Sequence, residues 1–144
     1  INVSGRYSYG DGFLRATYSH NRFRADGVPL ASGSASFHGL QMGDLFTAEV
    51  AHDFNELGLR IGGSFEGALK DDSNTEPPTD SYAVVNIYGE WTPPGFEAVS
   101  LRADIRNLLD RTYVDRATSG ADNAAAIPFN EPGRTLLLTA KVRF

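Results

Sequence analysis

The sequence predicts an all-β fold: about seven antiparallel strands forming a segment of a transmembrane β-barrel. Three observations predict it. Apolar and polar residues alternate with period two along most of the chain, giving each strand one apolar and one largely polar face. The connections alternate between short and long. Aromatic residues gather on the apolar face, at the strand ends that meet the short turns.

Composition agrees. The 144 residues include 15 Gly, 9 Phe and 6 Tyr but 1 Met and 1 Trp, a balance that favours strands over helices. Cysteine is absent, which excludes disulfides, thiolate metal sites and cysteine nucleophiles. The net charge of −5 speaks against a nucleic-acid footprint, so no nucleic-acid partner is expected. No apolar run approaches the ~18 residues a membrane helix needs. A mean hydropathy of −0.28 is compatible with a membrane barrel, because a barrel strand turns only every second side chain to lipid. No signal-peptide pattern opens the chain; Ile1 leads directly into strand-like sequence. The expectation is an exported protein that has lost its signal, or an internal stretch of a longer chain.

The strands follow in order. The first two cover Asn2–Tyr9 and residues 13–23. Phe46, Ala48, Val50 and Phe54 then alternate with Thr47, Glu49 and Asp53. Leu57, Leu59, Ile61, Gly63, Phe65 and Leu69 alternate with Arg60, Ser64 and Glu66. Ala83, Val85, Ile87, Gly89 and Trp91 alternate with Val84, Asn86, Tyr88 and Glu90. Val99, Leu101, Ala103 and Ile105 alternate with Ser100, Arg102, Asp104 and Arg106. Finally Leu136, Leu138, Ala140, Val142 and Phe144 alternate with Thr135, Leu137, Thr139, Lys141 and Arg143. Charges such as Arg102, Asp104 and Arg106 on one face cannot lie unpaired in a dry core, but they suit a wet lumen.

Residues 10–12, 55–56 and 93–97 read as tight or short turns, and residues 24–43, 70–80 and 111–132 as long loops. If the final strand ends in the periplasm, every short turn is periplasmic and every long loop external, as in bacterial outer-membrane barrels. Tyr9, Phe54, Trp91 and Phe144 all fall on the outward face at the periplasmic end. Seven strands are an odd number, whereas single-chain bacterial barrels have an even number and no open edge. Partner strands are therefore expected elsewhere.

Residues 98–144 carry a resemblance to a known family. Leu101-Arg102-Ala103-Asp104-Ile105-Arg106 runs into Asn107-Leu108-Leu109-Asp110-Arg111-Thr112-Tyr113, similar to the "N-L-[FL]-D-[KR]-x-Y" sequence of TonB-dependent receptors. Glu131-Pro132-Gly133-Arg134-Thr135 is similar to that family's "PGR" entry into the last strand, and Phe144 resembles the terminal residue read by the barrel-assembly machinery. The resemblance implies that residues 1–144 are the C-terminal part of a barrel of about 22 strands, without its plug domain. It also implies outer-membrane localisation, contact with outer-membrane lipid, and coupling to the TonB energy-transducing complex through an N-terminal part lying outside this chain. Tyr113-Val114-Asp115-Arg116-Ala117-Thr118, taken with the "PGR" segment, looks most like haem or haemoglobin receptors; ferric-siderophore receptors are the alternative. No intrinsic cofactor is implied, and haem enters only as the transported ligand.

Asn107, Leu108, Asp110, Tyr113, Pro132, Gly133 and Arg134 read as architectural. Asn and Asp side chains at a strand–loop junction cap free backbone groups, and Gly133 relaxes the chain where it re-enters the sheet. His38, in the long external loop near Phe37 and Met42, is the candidate haem ligand, since histidine is a common axial ligand; an ordinary solvated histidine is the reading that weighs more. His20 and His52 read as interfacial. The neighbouring carboxylates Glu49 and Glu66 could suggest acid–base chemistry, but cross-strand pairing of lumenal charges is the simpler account. The acidic run Asp71–Glu76 lacks the glycine and spacing of a known calcium loop. No phosphate loop, nucleophile elbow or zinc motif is present, so no enzyme is expected. Two further readings stay open. A small self-contained outer-membrane barrel would need an eighth strand near residues 35–40. A soluble β-sandwich would bury the apolar face.

Overall fold

The computed structural model describes residues 1–22, 24–29, 42–70, 80–116 and 130–143. The strands are β1 Asn2–Tyr9, β2 Gly12–Asn21, β3 Arg24–Ala25, β4 Val28–Pro29, β5 Gly43–Phe54, β6 Leu59–Ala68, β7 Tyr82–Trp91, β8 Val99–Arg106 and β9 Thr135–Val142. Seven of them form one sheet in the order β1-β2-β5-β6-β7-β8-β9, a meander in which every neighbour is antiparallel. The all-β, antiparallel, seven-strand expectation is borne out.

Three details differ from the sequence reading, two of them between β2 and β5 and the third at Leu57. β2 stops at Asn21, not at residue 23. The long loop 24–43 also contains a small hairpin, β3–β4, turning through Asp26 (φ 51°) and Gly27 (φ 81°). Asp-Gly with both residues at positive φ is the two-residue turn whose twist matches a hairpin, and that dipeptide was the signal available in the sequence. Residues 35–40, the place for a hidden eighth strand, lie outside the described residues.

Register sets the faces. One row across the sheet reads Tyr7, Leu14, Val50, Gly63, Ile87, Ile105 and Leu136. The row one step along reads Arg6, Arg15, Glu49, Ser64 and Asn86. Side chains alternate faces along every strand, so the two rows point to opposite sides of the sheet.

The exposure pattern is the reverse of a soluble sheet. Large apolar residues on the first face stay exposed, with Tyr7 at 67%, Leu136 at 64% and Val50 at 45%. The buried hydrophobics Ala51, Ala68 and Val84 lie on the polar face. A β-sandwich would cover the apolar face with a second sheet; no described residue does so. Removing apolar surface from water stabilises by about 25 cal/mol per Å², so this face requires a non-aqueous neighbour.

Short connections all fall at one end of the meander. Gly10 (φ 46°) turns β1 into β2, and Asp53 N donates to Asp11 O at 2.9 Å beside it. A single 3-10 turn, Asn55–Leu57, joins β5 to β6 and ends on Gly58 at φ 60°. This takes Leu57, expected at the start of a strand, out of the sheet. Thr92 N donates to Gly58 O at 2.8 Å, and Gly95 (φ 82°) turns the segment between β7 and β8.

Gly58 is constrained twice: its φ is left-handed, and a Cβ on it would collide with the Thr92 carbonyl oxygen. Gly58→Ala is therefore expected to cost about 2 kcal/mol. The full-length protein carrying it should unfold at lower urea concentration, read from its heat-modifiable gel migration, while Gly95→Ala, with open space around the added methyl, should shift it less.

Candidate functional site

A wall segment acts through its two faces and its loop end, and each is built differently. On the polar face, opposite charges follow one another along a register row. Asp53 is paired with Arg60, then Glu90, then Arg102. Arg60 Nε donates to Asp53 Oδ1 at 2.5 Å and its Nη2 to Oδ2 at 2.7 Å. Arg102 reaches Glu90 at 3.4 Å and Asp104 at 2.7 Å, and its guanidinium lies 4.1 Å from the centre of the Tyr88 ring. Tyr88 in turn covers Gly62, where a Cβ would meet its ring at 2.5 Å. Glycine there leaves room for the aromatic to lie flat across the strand.

Further along the same face, Arg15 Nη2 donates to Glu49 Oε2 at 2.6 Å. Glu66 accepts from Tyr82 Oη at 3.2 Å. Glu49 is opposite Ser64, and Glu66 is opposite Thr47, so the two carboxylates have separate partners and do not form an acid–base pair.

The apolar face carries its aromatics at both ends. At the short-turn end, Tyr7 stacks on Tyr9 (6.2 Å), Tyr9 on His52 (6.1 Å), and His52 meets Phe54 edge-on (4.7 Å). Trp91 Nε1 donates to Leu57 O at 3.1 Å. Phe144 lies outside the described residues. At the loop end, Tyr18 packs on Phe46 at 5.0 Å, and Asp44 Oδ1 accepts from Tyr18 Oη at 2.6 Å and lies 2.8 Å from His20 Nδ1. Phe46 and Phe54 are eight residues apart in β5, about 27 Å along a strand, or about 20 Å of height at a tilt near 40°, close to the ~25 Å apolar band of an outer-membrane barrel.

At the loop end, the residues that follow β8 are locked in place by their own side chains. Asn107 is buried, with φ at 49°. Its backbone N–H donates to Asn86 Oδ1 (2.8 Å), its Oδ1 accepts from Arg111 N (2.9 Å), and its Nδ2 donates to the carbonyls of Arg111 (2.8 Å) and Pro132 (3.2 Å). Leu108 N donates to Val85 O at 2.8 Å. Asp110, at φ 54°, accepts from Arg134 N at 2.8 Å, and a Cβ on Gly133 would come within 2.9 Å of that same carboxylate. One short motif thus ties both ends of the long loop together.

In the sequence Arg116 stands out only as part of the stretch Tyr113–Thr118, with no structural role legible for its side chain. It is buried, and its guanidinium donates to the carbonyls of Met42 (3.3 Å), Leu69 and Asp80 (3.4 Å). Those three carbonyls stand beside the loop ends of β5, β6 and β7. Next to Arg116, Tyr113 packs on Tyr82 (5.0 Å) and Tyr113 O accepts from Glu131 N at 2.8 Å. Burial, followed by the nearby Glu131, Glu66 and Asp115 carboxylates, pushes the Tyr113 hydroxyl above the usual tyrosine range. The mouth is thus lined by tyrosines and acids and fastened by one arginine. His38 and the acidic run 71–76 lie outside the described residues. Among the described residues, no group of three or more His, Asp or Glu is placed to hold a metal.

Comparison with known proteins agrees with this architecture. No protein-family model matches the chain. The haem transporter BhuA of Brucella ovis is 26% identical across 151 aligned residues, taking in 100% of this chain and 22% of BhuA; BhuA of Brucella suis biovar 1 is 25% identical over the same shares. Among solved structures, the FrpB iron transporter from Neisseria meningitidis (F3-3 variant) superposes with a TM-score of 0.77 at 19% identity, covering 99% of this chain and 23% of that one. The chain therefore spans about a fifth of the length of the relatives it matches. The likeness to BhuA runs along the whole chain, and the fold matches that of a stretch of the FrpB structure.

Replacing Arg116 with Met leaves three carbonyls without their donor and is expected to cost about 3 kcal/mol at the mouth. Limited proteolysis of the full-length protein should show faster cleavage between residues 111 and 134, with the strands still protected. Asn107→Gly should be milder than Asn107→Ala in the same assay, because glycine keeps the positive φ and loses only the side-chain bonds.

Proposed function

We propose that this chain is part of the barrel wall of an outer-membrane, TonB-dependent receptor that imports an iron source, with haem or haem released from haemoglobin as the substrate. Likeness to a haem transporter along the full chain is the observation that carries this reading. The exposed apolar face supports membrane insertion. The paired charges of the other face suit a wet lumen, where ion pairs retain much of their hydration. Likeness to an iron transporter, FrpB, keeps a ferric-siderophore substrate as the second reading. In either case the wall does no covalent chemistry: it supplies a polar lining, an anchored set of outer loops and a lipid-facing exterior.

The partners follow from that role. The TonB complex would act through a part of the protein beyond this chain, and the barrel-assembly machinery would read Phe144. His38, between β4 and β5 in the sequence, is the residue we assign as an axial ligand to haem iron.

The test uses the full-length gene in a strain lacking its own copy. Growth on haem as the sole iron source, lost on deletion and restored by the gene, supports the haem reading; growth restored only by a ferric siderophore replaces it with the second. His38→Ala should weaken haem binding at least about tenfold in a titration of the purified protein while leaving its amount in the outer membrane unchanged. An unaltered titration removes His38 as a ligand.

A further inference from the structure

An opening on the apolar face lies at the loop end. It is a cavity of about 410 Å³ between the ends of β6 and β7 and residues 111–113. Its floor is made by Phe46, Phe65, Gly67 and Ala83, which belong to register rows of the apolar face. Two local features create it. β8 pairs with β7 only from Ile87 to Trp91, so the upper part of β7, paired with β6 on one edge, has no strand on its β8 side. The chain after Asn107 runs there instead, held by the Leu108–Val85 backbone bond. Gly67 then leaves its own position empty, since a Cβ would stand 3.0 Å from the Phe65 ring and 3.1 Å from the Tyr82 carbonyl oxygen.

The rim carries a cation. Arg111 lines the cavity and is exposed, and the bond from its backbone N–H to Asn107 Oδ1 at 2.9 Å fixes where its side chain starts. Asp44, a carboxylate on the same face and at the same end, already has Tyr18 and His20 as partners. Phe46, Phe65, Gly67 and Ala83 stand on the face opposite the one along which an imported substrate passes, while Ala68 and Tyr82 join the lining from the polar rows. Its apolar floor runs on into the lipid-facing band, and the Arg111 guanidinium at its rim can donate charge-assisted hydrogen bonds to a phosphate.

We infer that this cavity is a lipid site, seating an acyl chain against Phe46, Phe65 and Ala83 with the lipid's phosphate at Arg111. The inference rests on the membrane reading of the apolar face and goes beyond it by assigning a fixed lipid to one place on the wall. Gly67 and Ala83 keep the floor open for the chain. Arg111 supplies charge-assisted hydrogen bonds to phosphate oxygens.

Native mass spectrometry of the detergent-extracted full-length protein tests it, with three separate additives: phosphatidylglycerol, diacylglycerol with the same chains, and inorganic phosphate. Phosphatidylglycerol should be retained, diacylglycerol about fivefold less, and phosphate not at all. Ala83→Phe, which occupies the floor, should remove retention of both lipids. Arg111→Gln should lower phosphatidylglycerol retention to the diacylglycerol level, and Arg111→Lys should restore most of it. Equal phosphatidylglycerol retention by the unaltered protein, Ala83→Phe and Arg111→Gln overturns the site, and so does phosphate retained as well as the lipid. Heat-modifiable migration and bilayer insertion, measured on the same samples, separate the two readings. Loss of insertion in the unaltered protein defeats the membrane reading, whereas intact insertion with equal retention defeats the lipid site alone.

Discussion

Hydrocarbon offers no partner to a backbone N–H or C=O, and that one constraint organises this sheet. Each inner strand of the seven-stranded sheet has an antiparallel neighbour on either side, and where β8 stops short of the upper part of β7 the chain after Asn107 takes its place, with Leu108 N bonded to Val85 O. Given that arrangement, period-two alternation leaves one face for lipid and the other for water. The exposed Tyr7, Val50 and Leu136 and the buried Ala51, Ala68 and Val84 are two results of the same rule. What would be a fault in a soluble protein is here the condition for residence in a membrane.

The polar face obeys a second rule. Its charges are half-exposed, so each pair adds little stability by itself. The row Asp53, Arg60, Glu90, Arg102 instead records which residue belongs opposite which. A strand shifted by one residue would turn these charges to the lipid and the apolar residues to the lumen. The ion pairs therefore act on register more than on total stability. Tyr88 lying between Gly62 and Arg102 extends that fit across three strands.

Much of this was legible in the sequence because the periodic signal is local. Alternation around Val85 and Ile105 gave strand, face and order, and the short and long connections gave the two ends. Asp26-Gly27 carries the local signal of a hairpin turn, though the stretch 24–43 around it has the composition of one long loop. Leu57 fitted the alternation but belongs to the turn, because Gly58 reverses the chain there. Arg116 could not be read at all. Its burial depends on carbonyls beside β5, β6 and β7, and no pattern around residue 116 reveals them. The Asn107 and Asp110 motif lies between these cases: its capping chemistry is local, but its partners at Pro132 and Arg134 are a loop away.

That grip by Arg116 also has a meaning in time. Its bond to the Met42 carbonyl spans 74 residues of sequence, and the arginine arrives on the connection between β8 and β9. Closing so long a separation is slow compared with forming a hairpin, because chain entropy must be lost before the contact returns anything. The β5–β6 and β6–β7 hairpins can each pair from local sequence alone. The knot of carbonyls above them stays untied until β8 has been laid down. The bonds that fasten the loop ends of β5, β6 and β7 thus form after the hairpins below them.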